Sequence, residues 1–396
     1  MYKQNTGIDA YQLEFTGAGG EFFRVWIVNV LLSVVTLGIY TPFARRRTAQ
    51  YFYGHTLVAD SPLEFTAQPR KMLVGFLLFA ALYIAFKIAA ETEQDAAAGL
   101  MMLAAAALAP YFWASAMRFR LNNTRWRGVR LQFTASWWEV YRASWPVFAI
   151  AAIWFAAFVV IVPMVPQGPA GTLSTEIPDG VIVASVAMVL VALALTVLCI
   201  IRLEFNYKSL LVARGRIGGQ IGRWKPVFGD FVRIWLATVG VFLLCVLLMV
   251  VLVMVGVGTS TLLAGMKGTG MVLAILAGVI AGFLAVFVGS APARAYRDAR
   301  MFQLVWNNIG VSRIARFKCE LPVWRYVRLR VMNIMLTLFT LGLYRPFAMI
   351  SEYRMKANSV TLHVKGGLDQ LAGQLAREEQ GLGDAFADAA GLDLVG

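Results

Sequence analysis

TLGIYTPFA, residues 36–44, returns near the other end of the chain as TLGLYRPFA, residues 340–348. A shift of 304 residues carries one copy onto the other without a gap from Arg24 on Arg328, through Asn29 on Asn333, to Ala44 on Ala348. Each copy reads as helix, break, helix. Gly38 and Gly342 suit the left-handed conformation that ends a helix. Pro42 and Pro346 lack an N–H and suit the first turn of the next one. Thr41 is the expected N-cap of that second helix. The helix-break element comprises Thr36, Gly38, Tyr40 and Pro42, then Thr340, Gly342, Tyr344 and Pro346.

Working outward, the break lies in a very apolar chain. Of 396 residues, 59% are hydrophobic and 15% charged, with a mean hydropathy of +0.67, against about 25% charged in soluble domains. Six apolar runs, 72–90, 96–117, 145–165, 180–201, 234–258 and 271–289, are near the ~20 residues a helix needs to cross a bilayer. With the broken segments 25–44 and 327–348, they predict an all-α integral membrane protein of six to eight spans. The stretches RGVRLQFT and SVTLHVKG predict small strands in the loops. Residues 1–365 read as one internally duplicated membrane domain. Residues 366–396 read as an acidic, Gly/Ala-rich tail whose composition predicts partial disorder. The first 20 residues lack the pattern of a cleaved signal peptide.

Net charge is +14, and it is placed unevenly. The loops 45–71, 118–144, 202–233 and 290–328 are rich in Arg, whereas 91–95 and 166–179 contain no Lys or Arg and 259–270 only Lys267. Positive loops resist translocation, so the basic loops are predicted cytoplasmic. The basic residues hug the ends of apolar runs rather than filling one module, which excludes nucleic acid as the expected partner. Because Arg24 and Arg45–Arg47 both belong on the cytoplasmic side, the segment 25–44 is expected to dip and return. A kinked ordinary span is the alternative.

Further repeats lie in the basic loops. FTGAGGEFFR, 15–24, resembles FTASWWEVYR, 133–142; DFVR, 230–233, is a shorter echo. Asparagines recur as LNNT, 121–124, and WNNI, 306–309, with Asn206 between them. On these stretches and the paired nine-mers, the chain resembles the YjgN-like family of bacterial multi-pass inner-membrane proteins, whose function is unknown. Phe43 and Phe347 stand where that family often has Trp. The resemblance implies an inner-membrane location and a multi-pass fold. It supplies no substrate and no catalytic residue.

The search for chemistry is short. Cys199, Cys245 and Cys319 form no CxxC, and His55 and His363 have no second ligand at metal spacing. GRIGGQIGRWK, 215–225, lacks the GK[ST] of a phosphate-binding loop. Glu21 and Glu139 each precede an Arg by three residues, which predicts helical ion pairs. The six runs carry one ionisable group, Lys87, so coupled ion transport lacks its usual machinery. No catalytic residue, metal or cofactor is assigned, and an enzyme is not expected. Asn29 and Asn333 are candidate polar contacts within the apolar segments. Arg45, Arg46 and Arg47, beside Tyr51 and Tyr53, are candidates for anionic lipid. Gly278 and Gly282 form a close-packing motif that suits assembly within a chain or into a homo-oligomer. The leading functional expectation is a transporter or channel for an unidentified solute. The alternative is a non-enzymatic, anionic-lipid-binding scaffold that organises the membrane.

Overall fold

The computed structural model describes residues 8–92, 94–164, 178–225, 227–263, 289–312 and 314–365. All but the last residue of the run 271–289, the Gly278/Gly282 motif, residues 166–177 of the loop 166–179 and the tail 366–396 lie outside the described residues. The chain divides into two compact units, Met1–Phe79 with Arg120–Gln132 and Arg216–Gly396, and Ala80–Phe119 with Phe133–Gly215.

Helix dominates, as the sequence predicts, but the strands are not local ornaments. They form one eleven-stranded sheet. The chain enters through β1 (Ile8–Gln12) and β2 (Glu14–Phe15), then makes a helical excursion through α1 (Gly19–Val35) and α2 (Thr41–Gly54). It returns as the hairpin β3 (Thr56–Val58) and β4 (Ser61–Phe65), leaves through α3 (Pro69–Glu91) and α4 (Asp95–Asn122), and returns as β5 (Thr124–Trp126) and β6 (Val129–Phe133). The third excursion is α5 (Trp137–Ala143), α6 (Trp145–Met164) and α7 (Asp179–Ala213), followed by β7 (Gly215–Ile217) and β8 (Gln220–Trp224). The fourth begins with α8 (Phe228–Leu263) and ends with α9, helical over 289–307, before β9 (Ile309–Val311) and β10 (Ala315–Cys319). The last is α10 (Val323–Phe339) and α11 (Arg345–Ala357), leading into β11 (Val360–Lys365).

Strand order is β1-β11-β10-β9-β8-β7-β6-β5-β4-β3-β2. Since β1 and β2 are separated only by Leu13, one continuous segment pairs with β11 through its first half and with β3 through its second. The sheet therefore closes on itself, which removes exposed edges. The fifth hairpin, β11 with β1, is assembled from the two ends of the described chain.

Five equivalent backbone bonds mark the repeat. The residue just after each hairpin donates its N–H to the residue just before the next: Thr16 to His55 (3.0 Å), Thr66 to Asn123 (2.9 Å), Thr134 to Arg214 (3.0 Å), Lys225 to Asn308 (3.3 Å) and Glu320 to Ser359 (2.9 Å). Every helical excursion thus starts and ends at the same edge of the sheet. The opposite edge carries tight turns with positive φ at Ala59 and Asp60, at Arg127 and Gly128, and at Gly218, the twist that two-residue hairpins need. Inside, Leu13, Trp126, Val129, Ala299, Ala315, Leu321, Tyr326, Val360, Leu362 and Val364 form a buried apolar core.

The all-α expectation is therefore corrected: loops that read as basic connectors are the strands of a closed sheet. Local propensity could not reveal this, because strands of two to six residues are stabilised across hairpins by partners from about 40 to more than 350 residues away in sequence. Among the described residues, five helices are long and apolar enough to cross a membrane: Pro69–Glu91, Gly99–Asn122, Trp145–Met164, Asp179–Ala213 and Phe228–Leu248. They coincide with five of the six apolar runs. α1 and α10, each of 17 residues, are not among them.

Candidate functional site

The repeated nine-mers form the tips of two helical hairpins, α1–α2 and α10–α11, in the unit that holds the sheet. At the first tip the Leu37 N–H donates to the Val34 carbonyl (3.1 Å) and the Gly38 N–H to Ser33 (2.7 Å). The second repeats this with Leu341 to Leu338 (3.1 Å) and Gly342 to Thr337 (2.7 Å). This is the Schellman closure of a helix. Its left-handed C′ position is held by leucine rather than glycine, with φ of 48° at Leu37 and 50° at Leu341; Gly38 and Gly342 follow at 89° and 94°. A non-glycine residue there costs roughly 1–2 kcal/mol. Both leucines carry that strain while standing almost free of the protein, 94% and 95% exposed.

The expected Thr41 cap is corrected: Thr41 is the first residue of the helix, and Tyr40 holds the N-cap position without a side-chain cap. α2 starts at Thr41, and its preceding Tyr40 N–H donates to Thr36 Oγ1 (3.0 Å). Tyr344 donates to Thr340 Oγ1 at the same distance. The tyrosines stack on the phenylalanines of the motif, Tyr40 on Phe43 and Tyr344 on Phe347, with centroids 5.6 and 5.7 Å apart. Pro42 and Pro346 are buried in the first turn of the return helix.

Asn29 and Asn333 are brought to equivalent places and tie the two arms of each hairpin. Their Nδ2 groups donate to the carbonyls of Ala44 and Ala348, 3.4 Å in both cases. Asn333 also donates to Ser351 Oγ (3.0 Å) and Glu352 Oε1 (3.1 Å). Both are buried helix-to-helix ties.

Arg45, Arg46 and Arg47 lie on the return arm α2. Arg45 and Arg47 are exposed, and the Arg47 guanidinium lies 6.0 Å from the Tyr40 ring centre. β2 pairs with β3, so α1 and α2 leave and rejoin the sheet side by side. If α1 crossed a bilayer, α2 would have to cross back carrying three arginines, at about 3 kcal/mol each near mid-membrane. At the sheet end of this hairpin, Arg24, Val25, Val28, Arg47, Gln50 and Tyr51 line an open cavity of about 490 Å³.

The second hairpin carries a charged network that sequence reading missed. Arg330 pairs with Asp298 on α9 and approaches Glu352 on α11 at 3.8 Å, and its Nη1 donates to the Tyr326 hydroxyl at 3.4 Å. Lys356 Nζ sits 5.0 Å from the Tyr326 ring centre and 5.5 Å from that of Phe302. Burial pushes the Tyr326 hydroxyl up to about 12, and burial likewise lowers the Lys356 ammonium. The repeat locates this network. Phe22, Val140 and Phe231 occupy the position of Tyr326 after their own hairpins, and all three are buried and apolar. Around the first hairpin, Phe22, Trp26 and Phe52 fill with rings the positions where the second places Tyr326, Arg330 and Lys356. Aromatic packing and a charged network have thus diverged on the same scaffold.

The remaining sequence candidates become structural. GRIGGQIGRWK is the β7–β8 hairpin. Glu139 caps α5 by accepting from the Ser136 N–H (2.9 Å) and pairs with Arg214 rather than Arg142. Asn307 Oδ1 accepts from Cys319 N–H (2.7 Å), and Asn358 Oδ1 from Phe15 N–H (3.0 Å); these asparagines fasten the ends of hairpins. Among the described residues no cluster of His, Cys, Asp and Glu could hold a metal.

Long apolar helices on a chain that also builds a closed sheet mark an integral membrane protein. Residues 10–389 match a family described as "Bacterial protein of unknown function (DUF898)", and the chain belongs to that family. It is 26% identical over 154 residues to the inner membrane protein YjgN of Salmonella typhimurium, covering 38% of each chain. It is 26% identical over 138 residues to inner membrane protein YjgN of Escherichia coli K12, covering 34% of this chain and 35% of the relative. The matched region thus spans little more than a third of these relatives. No solved structure matches.

Proposed function

We propose that this protein is a non-enzymatic scaffold of the bacterial inner membrane that gathers anionic lipid at its cytoplasmic face. The observation that carries the reading is the Arg24–Arg47–Gln50–Tyr51 cavity at the sheet end of the first hairpin. Two exposed guanidiniums beside an aromatic ring and the apolar Val25 and Val28 suit a phosphodiester headgroup with its first methylenes. The basic loops support a cytoplasmic placement of the sheet. The apolar filling of the sheet interior, among the described residues, disfavours a conduit through that ring. A solute carrier is the second reading, favoured by the paired helix breaks at equivalent places.

Two measurements on purified protein separate them. Native mass spectrometry should find anionic lipid retained in preference to zwitterionic lipid, and Arg24→Gln with Arg47→Gln should abolish the preference. An unchanged preference, or solute flux in proteoliposomes, would overturn the scaffold reading.

A further inference from the structure

We infer that the tips of the α1–α2 and α10–α11 hairpins are wedges that insert into the acyl chains of the leaflet nearest the sheet and return without crossing the membrane. The inference shares the membrane setting of the proposed function but does not require a preference for anionic headgroups.

Four observations converge on hydrocarbon as the occupant. First, each tip is apolar and uncovered: Val35 and Leu37 on one, Phe339 and Leu341 on the other, with Ile39 and Leu343 just beyond. Second, each copy keeps a leucine at a left-handed position that glycine would take without strain. Backbone strain kept at one place in both copies points to a task for the side chain, and a leucine standing clear of the protein can serve only what lies outside it. Third, both arms of each hairpin are tied to neighbouring strands, β2 with β3 and β10 with β11, so each excursion returns to the edge it left. α8, which lies in the same unit and is long enough to cross a membrane, leaves from that same edge after β8.

Fourth, arginine sets the depth. Arg45 is four residues into α2, about 6 Å along its axis, and Arg345 opens α11. With those guanidiniums at headgroup level, the first tip reaches about 10 Å and the second about 5 Å into a hydrocarbon core about 30 Å thick, which is within one leaflet. Thr36 and Thr340 support this placement. By donating to Leu32 and Leu336 and accepting from Tyr40 and Tyr344, they satisfy backbone groups that lipid cannot.

The test uses the full chain with its three cysteines replaced, in nanodiscs of purely zwitterionic lipid. Leu37→Cys and Leu341→Cys carry an environment-sensitive fluorophore; Lys318→Cys, on the outer face of β10, is the aqueous control. Nitroxide lipids place the quencher at the headgroup, high on the acyl chain, or at its terminal methyl. The expected result is strongest quenching high on the chain at both tips, at least about twofold above the control. In intact cells neither tip should react with an impermeant maleimide applied from outside. Strongest quenching at the terminal methyl, quenching no greater than the control, or labelling from outside would each overturn the inference. Ile39→Cys and Leu343→Cys repeat the measurement should a leucine variant fail to fold. Quenching that persists while lipid selectivity is absent would refute headgroup binding and leave the wedge standing.

Discussion

Replacing Gly342 by Ala and Leu341 by Gly should move stability in opposite directions, although the residues are neighbours on one tip. A Cβ at Gly342 would meet no atom within 4 Å, and one at Gly38 only Thr41 Oγ1 at 3.9 Å. Gly342→Ala therefore meets no steric clash with the protein and isolates the backbone cost of φ +94°, about 1 kcal/mol net. Leu341→Gly relieves the same kind of strain at φ 50°. Because the side chain is almost wholly exposed, it forfeits almost no packing, and a gain of about 1 kcal/mol is expected. Gly20→Ala, in the first turn of α1 with nothing within 4 Å, is the helical control and should be neutral or slightly stabilising. Equilibrium unfolding in mixed micelles with rising SDS fraction reads all three. Equivalent changes at Gly38 and Leu37 should behave alike. Loss of stability in Leu341→Gly comparable to that in Gly342→Ala would refute the reasoning, since it would mean that Leu341 packs on the protein.

Three further outcomes follow from the second hairpin and from the sheet. Raising pH from 10 to 12 runs from the ordinary tyrosine value to the folded value of Tyr326; its contribution is fully present below pH 10 and is lost as pH rises through about 12, about 3 kcal/mol in all. Tyr326→Phe should flatten that part of a stability-against-pH curve, and an unchanged slope would count against its burial. Arg330→Ala leaves Asp298 and Glu352 without their shared cation and should cost about 3 kcal/mol, whereas Arg330→Met with Asp298→Leu should recover most of it; thermal unfolding in detergent distinguishes the two. A fluorescent or phosphatase reporter fused after Lys365, at the end of β11, should report the cytoplasm, because β11 pairs with β1 at the closure of the sheet and the proposed orientation puts the basic loops inside. Phosphatase activity there would invert the orientation.

What the sequence determined by itself is what depends on local composition and short spacing. Runs of apolar residues predict long helices because a backbone in lipid must satisfy its own hydrogen bonds, and α3, α4, α6, α7 and α8 lie where those runs do. The nine-mers announce a helix break, since Gly and Pro act within one turn, and Arg24 and Arg328 at matching distances announce a duplication. Phe-Thr followed by a small residue, at 15–17, 65–67 and 133–135, was a legible sign of further repeats. In the remaining hairpins the same place reads Trp224-Lys225 and Cys319-Glu320, which hides the fivefold pattern. Only the tertiary structure decided that the basic loops are strands of one closed sheet, because a three-residue strand acquires its identity from distant partners. It also decided that Leu37 takes the C′ position ahead of Gly38, so that both residues are left-handed, since a Schellman closure depends on which carbonyls are reached. Asp298, Arg330 and Glu352 lie on three helices and look in the sequence like unrelated surface charges. They become one network because α9 leads into β9, α10 leaves β10 and α11 leads into β11, three adjoining strands, and burial rather than spacing gives the group its chemistry.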